Sequence, residues 1–208
     1  MRRLPGIPPR QWTKEFLDAT VALRAPTGGP VPAEPPGPPR GMATIESFAQ
    51  HLALAQAFFP FNGHVLHGTT LPQRIRGMIV LRVAHKRQCE YMWSQHFITG
   101  RTLGLSDDVM MQLTLGSDEW SFAAIDVAAM RAVDELIDDG VISQSTWDAL
   151  AAELDAQQLL DLIFTVGCYE TVTYFMRSLN LEPDSAVQAL LEANPPLSRS
   201  TTEGTTAS

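Results

Sequence analysis

The run Leu71-Pro-Gln-Arg-Ile-Arg-Gly-Met-Ile-Val-Leu-Arg-Val-Ala-His-Lys-Arg-Gln-Cys-Glu-Tyr-Met-Trp-Ser-Gln-His96 decides the fold. Pro72 suits a first helical turn, where its missing N–H costs nothing. Ile75, Ile79 and Val83 recur at helical spacing and predict an inward face. A polar break near Lys86-Arg87-Gln88 leads into a second helix, which carries Cys89, Met92 and His96 on one face and ends near Gly100.

Outward from this pair the sequence reads as helix after helix, with almost no strand alternation, so the expected class is all-α. Thr44 is placed to cap a helix bearing Phe48, Leu52 and Phe59. Ser106 before Asp107 and Asp108 marks another start, since carboxylates favour the positive end of a helix. Ser121 opens a helix stopped by Gly140, Ser143 or Ser145 caps a short one, and Asp155 caps a long one running to about Asn180. Pro183 begins the last helix. Residues 1–43 hold ten of the fifteen prolines and form an N-terminal extension. Within it, Trp12, Phe16, Thr20 and Leu23 share the face of a short docking helix, and the run Pro26–Pro39 is expected to be extended or disordered. Residues 44–193 form the helical domain, and 194–208 a flexible tail.

The formal net charge of −8 argues against nucleic acid, which rewards basic surfaces. No apolar run approaches the roughly 18 residues of a membrane span, so no membrane association is expected. The two N-terminal arginines have no apolar stretch behind them to make a secretory signal, and the expected location is cytoplasmic. Cys89 and Cys168 form neither a CxxC pair nor a disulfide framework, so free thiols are expected. The basic residues Arg74, Arg76, Arg82, Lys86, Arg87 and Arg101 crowd one helical region, whereas Arg131 is the one basic residue from Thr102 to Met176. That region suits either an anionic substrate or solvated faces and ion pairs.

The chemistry-bearing residues gather on the second helix. Cys89, near its N-terminus and beside Lys86 and Arg87, is expected to favour the thiolate. His96 lies two turns on, about 10 Å along the axis at 1.5 Å per residue, so direct proton exchange with Cys89 needs a bridge. Lining roles are open to Tyr91, Trp93 and His64, although buried aromatics on a helix are more often core. Arg82 is a candidate for a substrate carboxylate, with a structural ion pair as its rival. His64 and His67 make an HxxH pair without a third ligand, so no metal site is expected.

The quoted run resembles the signature of the carboxymuconolactone decarboxylase family, within the alkylhydroperoxidase AhpD-like superfamily. The likeness extends through Ala57-Phe-Phe-Pro-Phe-Asn-Gly-His64, Gly104-Leu-Ser, Ala132-Val-Asp-Glu-Leu136 and Leu162-Ile-Phe-Thr-Val-Gly167, about residues 44–182. The resemblance implies an all-helical fold, a small-molecule substrate, no metal or organic cofactor, and homo-oligomers (trimers or hexamers) with a pocket beside the motif helix. His96 matches the family's histidine and Cys89 its first cysteine. Met92 replaces the second cysteine or the glutamate of relatives, Gly77 stands where a glutamate is common, and Cys168 where a histidine often follows Val-Gly. Without a thiol at 92, a sulfenate at Cys89 loses its local partner, leaving Cys168 as the one possible resolving thiol if the fold brings it close. Met92 softens the pocket and Gly77 is expected to open space in it. Three functions remain open: proton transfer by His96 in a decarboxylation or isomerisation, thiol peroxidase chemistry through Cys89, and a non-catalytic binding scaffold.

Overall fold

A computed structural model of the chain describes residues 2–24 and 41–193; the run Pro26–Pro39 and the tail from 194 lie outside the described residues. The helices are α1 (Lys14–Thr20), α2 (Met42–Phe48), α3 (Leu52–Gly63), α4 (Gln73–Lys86), α5 (Glu90–Thr102), α6 (Asp107–Gln112), α7 (Ala124–Asp138), α8 (Gln144–Ala151), α9 (Ala156–Ser178) and α10 (Ser185–Ala193). No strand occurs among the described residues.

Local signals place most of these ends. Ser106 accepts a hydrogen bond from the Val109 amide and Ser143 from the Thr146 amide, while Asp155 and Gln158 form a reciprocal capping box. Two starts differ from expectation. The helix expected from Thr44 begins at Met42, after Gly41 in a left-handed conformation (φ 78°). It is also broken in two, because the His51 ring caps a fresh start by accepting from the Leu54 amide at 3.2 Å. Ser121 opens no helix: the Gln112 side-chain oxygen takes both its amide (2.8 Å) and its hydroxyl (3.0 Å), and α7 starts three residues later.

The centre is α4, which packs on α5, α7 and α9. Ile75, Ile79 and Val83 are buried on it, as their spacing predicts. Arg74–Asp126, Arg82–Asp134 and Lys86–Asp138 are bonded pairs, each 52 residues apart, so α4 and α7 run parallel and in register. On the other side, Phe16 and Thr20 of α1 are buried against α3, and Phe16, Phe48, Phe59 and Phe175 form a second aromatic core. By length and composition α9 passes as a bilayer-crossing helix, contrary to the reading of the sequence, but half of its apolar window is buried within the chain. The other face of α9 leaves Leu160, Phe164 and Tyr174 more than half exposed, with Gly167 between them.

Candidate functional site

The motif helix α5 runs antiparallel to α9. Cys89, at its N-cap, lies level with Met176 and Arg177, and His96, seven residues on, meets Tyr169, seven residues before Met176. The Cys89–Met92–His96 face thus looks along α9, but its ends serve different surroundings.

At the Cys89 end an open pocket of about 660 Å³ is lined by Cys89, Tyr91, Tyr174, Met176, Arg177 and Leu181, among others. Gln88 and Asn180 also line it, and both are non-glycine residues with positive φ (50° and 54°), a strained geometry that the surrounding packing must hold. The expectation of a thiolate at Cys89 is overturned. The thiol is buried, and burial pushes its pKa up; the Met92 amide and Arg177 pull weakly the other way. The cations expected to help are spent elsewhere, Lys86 on Asp138 (2.6 Å) and Arg87 on Glu170 (2.7 Å). Tyr91 does line the pocket, its hydroxyl raised to about 12 by burial.

At the other end, burial and the nearby Arg76 guanidinium lower the His96 imidazole to about 3, although the ring keeps some accessible surface. It is therefore neutral at pH 7. Neither ring nitrogen has a hydrogen-bond partner among the described residues, as the missing acids at 77 and 92 would lead one to expect. The Tyr169 ring stands edge-on to it, centroids 5.3 Å apart and planes at 90°.

Several sequence candidates do not join either end. Arg82 is a structural residue: it grips Asp134 through two bonds (2.8 and 2.7 Å), donates to the Leu113 and Leu115 carbonyls (2.6 and 2.9 Å), and lies over the Trp120 ring. The space expected at Gly77 is filled, since a Cβ there would come within 3.2 Å of Leu105 and 3.3 Å of Leu103. Met92 is fully buried core rather than pocket wall, and Trp93 packs on His85 and Phe97. His64 bonds Asp161 at 2.8 Å, eight residues and about 12 Å of helix from the Tyr169 level. His67 instead faces the Leu23 carbonyl at 3.1 Å, so the two histidines do not converge. Cys168 lies beside Asn62, its thiol raised by burial, and is about 12 Å along α9 from the level of Cys89. A disulfide needs Cα atoms within about 7 Å, so Cys168 does not resolve Cys89 in this arrangement.

The sequence reading missed Tyr169 and Thr165, and named Arg76 only as one of six basic residues in a region suited to an anion or to ion pairs. A signal existed: Arg76, Val80 and Val83 fall at i, i+4 and i+7, which puts a charge on a buried stripe.

No functionally curated protein shows significant sequence similarity to the chain. Three solved structures share its fold. An uncharacterised peroxidase-related protein from Ralstonia eutropha JMP134, described as an alkylhydroperoxidase AhpD core, superposes with a TM-score of 0.70 at 13% identity, covering 89% of this chain and 94% of the other. A peroxidase-related protein from Silicibacter sp. TM1040 gives 0.62 at 14%, covering 69% and 76%. A protein of unknown function from Agrobacterium tumefaciens, suggested to be the antioxidant defence protein AhpD, gives 0.61 at 15%, covering 66% and 94%. At these identities the likeness establishes the helical fold. Residues 53–135 match the model of the Carboxymuconolactone decarboxylase family, a segment that takes in α4, α5 and His96. Over that segment, less than half of its length, the chain is similar to the carboxymuconolactone decarboxylase family.

Proposed function

We propose that the protein is a carboxymuconolactone decarboxylase-like enzyme that moves a proton on a small carbonyl-bearing or aromatic substrate, with His96 as the transferring group and no metal or organic cofactor. The observation that carries this reading is the neutral, unpartnered imidazole set near Arg76 and edge-on to the Tyr169 ring. A neutral imidazole enters the reaction as a base. It breaks a C–H bond between the carbonyl and a C=C bond, and the electron pair moves onto the carbonyl oxygen to give a conjugated dienolate. The imidazolium returns its proton at the far carbon as the C=C bond shifts and the carbonyl reforms. Isomerisation fits this order directly. Decarboxylation needs His96 protonated before the enolate forms, when the carboxylate leaves as CO₂. His96→Ala is expected to lower kcat/KM about a hundredfold on whichever member of a panel of lactones, keto acids and aromatic acids is turned over; unchanged turnover would refute the assignment.

One observation favours thiol chemistry instead: the pocket opens on Cys89, and the similar folds include peroxidase-related proteins. Thiol-dependent peroxide consumption that disappears in Cys89→Ser would establish it in place of the first reading. The burial of Cys89 and the distance of Cys168 weigh against it.

We further propose a homo-oligomer, a trimer or hexamer, built through the exposed Leu160–Phe164–Tyr174 stripe of α9. Apolar surface of this kind is costly to leave in water. Phe164→Glu is expected to reduce the mass measured by light scattering to that of one chain, and an unchanged oligomer would place the interface elsewhere.

A further inference from the structure

Of the six basic residues between Pro72 and Arg101, five have a carboxylate partner within the chain: Arg74 with Asp126, Arg82 with Asp134, Lys86 with Asp138, Arg87 with Glu170 and Arg101 with Asp107. Arg76 has no carboxylate partner among the described residues, and its Nε is buried without a hydrogen bond. Arg76 is half-buried, and holding even part of a guanidinium out of water without a counter-charge costs free energy, which a bound anion would offset. Two further buried groups, both on α9, are unsatisfied. The Tyr169 hydroxyl and, one turn earlier on α9, the Thr165 hydroxyl are buried with no partner, on side chains 3% and 0% exposed. The His96 and Tyr169 rings meet edge-on, and Arg76, on the helix α4 that packs against both α5 and α9, acts electrostatically on both groups. This cluster is separate from the pocket at Cys89, whose lining includes none of them.

We propose that Arg76 and the Tyr169 hydroxyl together hold a carboxylate of the substrate, beside His96. The inference rests on His96 as the reacting group only for its catalytic meaning; the anion site itself stands on the unpaired donors. A single guanidinium neutralises one negative charge, and its planar fork matches a carboxylate in two parallel bonds, with the phenol giving a third. A phosphate dianion would leave a charge uncompensated here, with no second unpaired cation at the cluster. A carboxylate at Arg76 also cancels the positive field at His96. The imidazole then regains the part of its basicity that Arg76 removes, burial remaining the larger cause of its lowering, so that anion binding and proton uptake favour one another.

Benzoate is the probe. Titrated into the full-length protein by calorimetry, with the His96 ring resonances followed by NMR, it is expected to bind and to move those resonances toward the protonated form. Arg76→Gln is expected to weaken binding at least about tenfold, as for loss of a charged hydrogen-bonding partner. Tyr169→Phe removes only a hydroxyl, keeps the ring against His96, and is expected to cost roughly threefold to tenfold. Benzoate affinity that is equal in the natural chain, Arg76→Gln and Tyr169→Phe overturns the proposal, as does the absence of any benzoate-dependent change at His96. Inorganic phosphate binding more tightly than benzoate overturns the carboxylate assignment. The enzymatic reading fails separately: turnover indifferent to His96, with Arg76-dependent benzoate binding intact, removes the catalysis and leaves the site.

Discussion

Arg82→Ala is expected to lower the unfolding free energy by about 3–5 kcal/mol, the range for breaking a buried ion pair by removing one partner. Arg82 is 5% exposed and closes three connections at once. Its fork holds Asp134 on α7, its Nη1 satisfies the carbonyls of Leu113 and Leu115, and its plane supports Trp120. Alanine strands the carboxylate and two carbonyls and leaves a cavity under the indole. The neighbouring pair Lys86–Asp138 has the same register, but the Asp138 side chain is 55% exposed, so Lys86→Ala is expected to cost less than about 1 kcal/mol. Urea unfolding of both variants checks the contrast. Equal losses would show that Arg82 contributes no more than a surface pair, and its role as the α4–α7 tie would fall.

Acid is expected to destabilise the protein earlier than its carboxylates alone would. In the unfolded chain His96 titrates near its ordinary value of 6.5, while in the fold it stays unprotonated down to about pH 3. Between those limits the unfolded state binds the extra proton, so stability is greatest above pH 6.5 and falls as the pH drops toward 3. From pH 6.5 to 5 this amounts to up to about 2 kcal/mol, at 1.36 kcal/mol per pH unit. His85, also lowered by burial, adds in the same direction, and Asp107, Asp161 and Glu135, all lowered, add at more acid pH. Chemical denaturation of the natural chain and His96→Gln at pH 7.5, 6.5 and 5 isolates the one residue. The variant should show a visibly smaller slope; parallel pH curves would mean that His96 is no more hindered from protonation in the fold than outside it. Benzoate, by relieving Arg76, should flatten the slope of the natural chain.

What the sequence made legible was local. Ser106, Ser143 and Asp155 cap where they stand because the amides they satisfy lie three residues away. The stripe Ile75–Ile79–Val83 faces inward because helical geometry repeats it. The family resemblance followed from the same stretch, since α4, α5 and the turn between them carry its punctuation. The errors came from partners distant in sequence. Ser121 lost its capping role to Gln112, Gly77 was filled by Leu103 and Leu105, and the cations beside Cys89 were claimed by Asp138 and Glu170. One long-range feature was present in plain sight: the positions 74, 82 and 86 repeat in the acids at 126, 134 and 138. Such a constant offset is a register signal for parallel helices, and it also singles out Arg76 as the cation without a matching acid.

The strained pocket beside Cys89 has a polarity of its own. Two helices, α4 and α9, run out there, and each helix C-terminus carries roughly half a negative charge on its last carbonyls. The first turns of α5 and α10 offset part of that potential, and the lining side chains include the carboxylates of Glu90 and Glu182 and the guanidinium of Arg177. The mouth thus repels the kind of molecule that Arg76 would attract. If Arg76 holds a carboxylate as proposed, one helix, α5, separates two selectivities along its length, favouring neutral or cationic groups at its first turn and anions two turns later.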